Sequence, residues 1–341
     1  MLLDFWRQSA VIHKTPPAAH LQYGFTHITT FEDAVGIDNR GIDLVEDIES
    51  GQYAICKTMH SGLRTLQEAR NNRAVSGHPN ITRVLKFVPC SSYAPPCMSV
   101  PQCKGDAICP APENDLLYLE YYRGGTLRDL VRHYQKLNRT LPELFIFEVL
   151  ETLLKALCYT HLGIFDTSRC EDIDDDWDPL YHNDIRNSNI FLATGLHEKS
   201  PVSGYPRIIL GDFSRSYRES QVARPPGIAR YPELNHSIDK WRTDSRKDIF
   251  GMMVVVVALM LFEDQPYRAS VSELAHKIKV YDHNNSKELR DIVLNLLHGR
   301  YKHPYLRSAL VDVVNAKTEL LEMGKLKLEA LDLPVNRHDL S

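Results

Sequence analysis

The chain changes its pattern once, at Gly124–Gly125. Before these glycines, Gly51–Met59 and Leu116–Tyr122 read as strands, and Leu63–Val75 between them reads as a helix. From Thr126 onward the pattern is mostly helical: Leu127–Gln135, Glu143–His161, Asp248–Phe262, and stretches around Ser272–Val280 and Lys287–Leu297. Strands gathered in one half and helices in the other predict an α+β fold, a small β-rich part with one main helix followed by a larger helical part. The two glycines form the joint, because glycine adopts backbone angles other residues avoid.

With 341 residues the chain has the length of about two domains or one bilobal unit. Its 43% hydrophobic and 25% charged residues exclude disordered, collagen-like and fibrous classes. A formal charge of −4 supplies no general field for nucleic acid or an anionic membrane, so neither is an expected partner and any phosphate chemistry must come from local placement. Met1–Arg7 lacks the pattern of a secretion signal. The longest apolar run, Met252–Phe262, falls short of the ~18 residues that span a bilayer and reads as a buried helix. Seven cysteines without a secretion signal point to reduced thiols and a cytoplasmic or nuclear protein. No internal repeat is present, and no feature fixes an oligomeric state.

Three stretches read as surface insertions: one at about 90–113, rich in proline and cysteine; an acidic one at about 166–179; and the turn-rich Leu196–Pro206. Cys90, Cys97, Cys103 and Cys109 cluster in or beside the first. Their spacing is unlike the short Cys-x₂₋₄-Cys knuckles of structural zinc sites, so free thiols are the expectation.

The densest chemistry lies in Tyr181-His182-Asn183-Asp184-Ile185-Arg186-Asn187-Ser188-Asn189, followed by Gly211-Asp212-Phe213-Ser214 after the strand-like Arg207–Leu210. Two carboxylates and an amide are the oxygen ligands that suit magnesium and a transferable phosphoryl group. Either motif alone also reads as a polar turn. Together with others in order, they resemble the eukaryotic protein kinases over roughly residues 30–312. Tyr53-Ala54-Ile55-Cys56-Lys57 resembles the strand bearing the ATP lysine, and Glu68 stands before Gly77-His78-Pro79-Asn80-Ile81 where the family has its helix glutamate. Tyr231-Pro232-Glu233 resembles the end of the activation segment, Lys247-Asp248-Ile249-Phe250-Gly251 the start of the central helix, and Arg307 the late arginine that pairs with Glu233.

The resemblance implies a bilobal fold with an extension at 1–24, a β-rich N-lobe at 25–122, a C-lobe at 123–312 and a helical tail at 313–341. It implies ATP and Mg²⁺ as cofactors and a protein as substrate. Lys57, fixed by Glu68, would place a cation on the ATP phosphates; Asn189 and Asp212 would hold magnesium. Asp184 would orient the acceptor hydroxyl, and Arg186 would stabilise the travelling phosphoryl group. Leu119 takes the gatekeeper position, and Glu120-Tyr121-Tyr122 the hinge whose backbone pairs with adenine, with Glu120 and Tyr122 as nucleotide-site residues.

The sequence departs from the family at four places. The best register for the phosphate-covering loop runs from Gly36 through Gly41 to Asp43, and its middle glycine and its valine are both Asp, at Asp38 and Asp43. An acid beside phosphates costs electrostatic energy. Ser214 replaces a permissive glycine, Asn183 replaces an arginine, and Asn72 stands where an apolar residue bridges the lobes. Two function classes follow: a protein kinase, Ser/Thr rather than Tyr by base rate, or a pseudokinase acting as a binding or scaffolding module. A small-molecule phosphotransferase fits less well, because Tyr231-Pro232-Glu233 and Arg307 belong to a protein-substrate platform.

Overall fold

The computed structural model describes residues 20–31, 39–59, 63–90, 114–167, 176–194, 204–221, 239–263, 269–282, 284–299 and 306–334. Gly36, Asp38, Cys97, Cys103, Cys109, Pro226, Tyr231-Pro232-Glu233 and most of the acidic insertion lie outside them. The chain divides into two compact units, Met1–Gly77 with Thr82–Tyr121, and His78–Ile81 with Tyr122–Ser341.

The first unit is an antiparallel five-stranded sheet, in spatial order β1-β2-β3-β5-β4, with one long helix. Its strands are β1 (Phe25–Thr30), β2 (Asn39–Asp47), β3 (Tyr53–Met59), β4 (Val84–Val88) and β5 (Asp115–Glu120); α1 spans Leu63–Val75. The turn between β2 and β3 is closed by Asp47, whose Oδ1 accepts the backbone N–H of Glu49 at 3.1 Å and of Ser50 at 2.7 Å. Such a side-chain turn sets the register of the strands it joins. Ile42 therefore lies opposite Lys57, Asp43 opposite Cys56, and Leu44 opposite Ile55.

Strand parity then decides which face each residue serves. Met59, Leu117 and the half-buried Leu119 pack with Ala69 of α1 on one face. Cys56 and Tyr118 join Tyr23, Phe25, Val45, Ala54 and Leu116 on the other. In α1, Thr65, Glu68, Ala69, Asn72 and Val75 are all buried, at the three- and four-residue spacing of a single helical face.

Parity also corrects the reading of the glycine loop. Gly41 lies within strand β2, buried and paired opposite Thr58, and Asp43 shares its face with Cys56 and Tyr118, away from Lys57. The residues of β2 paired along Lys57's face include Ile42, Leu44 and Glu46. A one-residue shift of register exchanges the two faces of a strand, and the β2–β3 ladder is irregular between Asn39 and Gly41, which a motif read by spacing alone does not anticipate.

The second unit is mostly helical: α2 (Leu127–Leu137), α3 (Glu143–Leu162), α4 (Asp239–Leu261), α5 (Val271–Tyr281), α6 (Lys287–Leu297) and α7 (Leu306–Glu322). A capping box between Thr126 and Asp129 starts α2, and Ser270 with Glu273 starts α5 in the same way. Met252–Met260 of α4 are all buried, as a helix apolar on every side requires. Helix α4 begins at Asp239, ahead of the expected Asp248. The expected tail helix is corrected: it starts at Leu306 and ends at Glu322, and the described residues beyond it, through 334, are not helical, with Leu326 buried and the backbone N–H of Asp332 donating to the Tyr134 hydroxyl at 2.9 Å.

Two short ladders complete this unit: β6 (Leu180–Tyr181) with β9 (Tyr217–Arg218), and β7 (Ile190–Ala193) with β8 (Arg207–Leu210). Gly124 and Gly125 both belong here and hold the chain against β7. The Gly124 N–H donates to Leu192 O at 2.9 Å, and a Cβ on Gly124 would stand 2.5 Å from that oxygen. Gly125 has φ +70°, which disfavours other residues.

Candidate active site

In the first unit, Lys57 Nζ donates to Glu68 Oε1 at 2.9 Å, with both side chains buried. The pair links β3 to α1. Lys57 reaches α1 because strand parity turns it to that face, and Glu68 meets it because it lies on the helix's buried stripe. Glu120 ends β5 with its N–H on Arg83 O at 3.0 Å and its carboxylate 3.5 Å from Arg83 Nε.

In the second unit, the loop from His182 to Asn189 is held by hydrogen bonds on nearly every residue. Asp248, fully buried on α4, accepts the backbone N–H of His182 through Oδ2 and of Asn183 through Oδ1, both at 2.7 Å. Its Oδ2 also lies 2.9 Å from His161 Nε2. The His182 ring lies 3.0 Å from Gly211 O through Nε2, and its Nδ1 accepts the Asp184 N–H at 3.2 Å. A carbonyl accepts and an amide donates, so the ring carries its proton on Nε2 and fastens this loop to the segment leading to Asp212.

Asn189 orders Asp184 directly. Its Nδ2 donates to Asp184 O at 2.8 Å and to Asp184 Oδ2 at 3.0 Å. With the amide hydrogens so used, Asn189 Oδ1 is left as an acceptor, approached by the Ser188 hydroxyl at 3.3 Å. Arg186 NH2 lies 3.2 Å from Asp184 Oδ2 and Arg215 NH1 lies 3.9 Å from Asp184 Oδ1. Asp184, Arg186 and Asn189 are thus brought together in one constellation.

Asp212 follows β8 in the left-handed region, φ +62° and ψ +72°, and leads into a tight turn at Phe213–Arg215. Phe213 is fully buried, its ring edge-on to His182 at 4.7 Å, and its carbonyl accepts both the N–H and the hydroxyl of Ser216. Ser214 lies inside this turn and is not among the described residues with positive φ. The expected need for glycine there is therefore corrected: the positive φ falls on Asp212. Asn183 also has φ +62°, a conformation in which Asn is several-fold enriched, so the backbone accommodates the residue that stands in place of arginine. Tyr122 is buried against Phe191.

Asp248, which holds the loop, and Arg215, which faces Asp184, are the members of this arrangement that sequence reasoning passed over. Asp248 was legible only as the start of a helix, and its signal was a carboxylate ahead of a wholly apolar run. Arg215 carries no signal in spacing; the turn at Phe213 brings it to Asp184. Gly251 contributes by its smallness, since a Cβ there would stand 2.9 Å from Ile185 O.

Among the described residues no three His, Cys, Asp or Glu side chains cluster as a metal centre. Asp212 and Asn189 Oδ1 are hard oxygen donors, and magnesium ordinarily takes one or two such groups with the remainder from phosphate and water. The donor set fits that ion.

No family model matches the chain. It is similar to the G2-specific protein kinase fin1 of Schizosaccharomyces pombe, 22% identical over 312 residues. The alignment covers 87% of this chain and 40% of that protein, so the chain spans well under half the length of the curated relative it matches. The likeness is distant and is to a protein kinase; the α+β architecture, with its five-stranded sheet and several helices, is compatible with a kinase-like fold. Among the described residues no helix is long and apolar enough to cross a membrane.

Proposed function

We propose that the protein is a protein kinase that transfers the γ-phosphate of ATP to a protein hydroxyl, Ser or Thr in preference to Tyr. The observation that carries this reading is Asp184. Asn189 and Arg186 engage its Oδ2, while Oδ1 has no hydrogen-bond partner among the described residues. A carboxylate so held accepts the hydrogen bond of an incoming hydroxyl on Oδ1 and fixes its direction of attack. Arg186 offers guanidinium donors beside it for charge on the moving group. Lys57, held by Glu68, is a positioned cation for nucleotide phosphates. Magnesium, when bound through Asp212 and Asn189, neutralises charge between the phosphates.

The test is single-turnover transfer from ATP to serine, threonine and tyrosine peptides, with nucleotide affinity measured in parallel by thermal shift. Asp184→Asn is expected to slow transfer by about 10²–10⁴ while nucleotide binding persists. Asp212→Asn is expected to weaken magnesium-dependent nucleotide binding as well. Wild type transferring no more than Asp184→Asn would overturn the reading. A second reading, a pseudokinase that binds nucleotide or scaffolds a partner, is favoured by the cations on both sides of Asp184; nucleotide binding without transfer would establish it.

A further inference from the structure

We propose that Arg215 selects the acceptor: the hydroxyl this site takes is flanked by an anionic side chain, a carboxylate or a phosphate. The inference rests on Asp184 being the group that receives the acceptor hydroxyl.

The argument begins with how Arg215 is held. Its backbone closes the tight turn after Asp212, and that turn is fastened by Ser216 to Phe213 O and by the buried Phe213 ring against His182. The same packing that sets the catalytic loop therefore sets the position of Arg215, and only its side chain, 54% exposed, extends outward. The guanidinium stands on the Oδ1 side of Asp184, the side the acceptor hydroxyl would approach. At 3.9 Å the contact is too long for a hydrogen bond and acts through charge alone. Among the described residues, Asp184 is the acidic side chain that Arg215 faces.

Arg186 stands on the Oδ2 side, and its Nε is buried without an acceptor among the described residues. Two guanidinium groups thus share one carboxylate. The cluster carries one positive charge in excess and more N–H donors than acceptors to receive them. Arg186 is already placed for the phosphoryl group. Arg215 is left for an anion that arrives with the acceptor, and guanidinium matches carboxylate and phosphate oxygens in geometry as well as charge.

The experiment uses the full chain and four fluorescent peptides identical except beside a single serine, flanked by Asp, phosphoserine, Ala or Lys. Binding is measured by fluorescence anisotropy and transfer by kcat/KM, on wild type, Arg215→Ala, Arg215→Lys and Arg215→Glu. Wild type is expected to favour the Asp and phosphoserine peptides over Ala by about tenfold in binding, as one charge-assisted contact would give. Arg215→Ala should remove the preference, Arg215→Lys should keep part of it, and Arg215→Glu should turn it toward the Lys peptide. A preference unchanged in Arg215→Ala, or absent from wild type, would overturn the inference. The two readings separate cleanly: if no peptide is phosphorylated, the proposed function falls, while the anisotropy series still decides the role of Arg215. Melting temperatures close to wild type are expected, since the side chain is exposed.

Discussion

The carboxylate of Asp248 accepts the backbone N–H of His182 at 2.7 Å, from a position on α4 far along the chain from the loop it holds. The same side chain takes the N–H of Asn183 and faces His161, so one buried group fixes the loop's entry. Asp248→Ala leaves two N–H groups without their acceptor, each costing about 1–3 kcal/mol. A loss of about 2–6 kcal/mol in a urea melt is expected. Asp248→Asn, which keeps one accepting oxygen, should lose less.

Asn72 makes the opposite case. It is fully buried on α1, and neither its amide oxygen nor its nitrogen has a hydrogen-bond partner among the described residues. An unsatisfied buried amide costs about 1–3 kcal/mol, whereas an aliphatic side chain of similar volume does not bear that cost. Asn72→Leu is expected to raise the urea midpoint with an unchanged slope. A lowered midpoint would mean that the amide meets a partner in the folded chain.

Much of the architecture was legible because local chemistry and tertiary packing agree. Leu63–Val75 and Lys287–Leu297 are helices with the ends expected from apolar periodicity, the second with the Ser286 hydroxyl capping Leu289 N–H. Asp184, Arg186 and Asn189 stand close together in sequence, so a short loop sufficed to gather them. What spacing could not reveal depends on faces and on distant contacts. The side of β2 on which Asp43 lies is set by a turn at Asp47 and a ladder irregularity, neither of which alters the motif's letters. The first turns of α4 are polar and carry no apolar period, and α7 begins within the stretch assigned to the end of the C-lobe.

Between α3 and α7, Lys317 lies buried with Glu148 at 3.0 Å and with Glu151, which also takes Lys155 at 2.6 Å. Burial pushes the Glu151 carboxyl up, but the Lys155 and Lys317 contacts outweigh it and hold the group below its usual value. Burial pushes Lys317 down, and its contacts with Glu151 and Glu148 together outweigh that, leaving it raised. A depressed carboxyl loses its contribution as pH falls through the folded value, and a raised ammonium loses its own as pH rises through the folded value. The network is therefore intact from about pH 5 to about pH 10. Lys317→Met at pH 7 leaves Glu151 to Lys155 alone and should cost about 3 kcal/mol, within the range for breaking a buried pair. Lys317→Met combined with Glu151→Leu should recover part of that loss.

Asp43 offers a pH test of the first unit. It is buried with the Thr30 hydroxyl donating to Oδ1 at 2.6 Å, His20 Nε2 at 3.4 Å and His27 Nε2 at 3.6 Å. The His20 ring, fully buried, also lies 3.1 Å from the Tyr118 hydroxyl through Nδ1 and stacks on His27. Cys56 and Tyr118 face the same cluster, both with proton affinities raised by burial first and by the nearby Asp43 charge as well, so they stay neutral at pH 7. Burial pushes the Asp43 carboxyl up, yet the His20 ring beside it, the hydrogen bond from Thr30 and the charge of His27 hold it below the usual value. With the folded value depressed, the stabilisation is complete above the unfolded value near 4 and fades as pH falls through the folded one. Asp43→Asn removes this titration. Urea midpoints of wild type and Asp43→Asn are expected to differ most at pH 7, with wild type higher, and to converge on acidification below about pH 4. A gap that stays constant from pH 7 to pH 3 would show that the carboxylate contributes by packing rather than by charge.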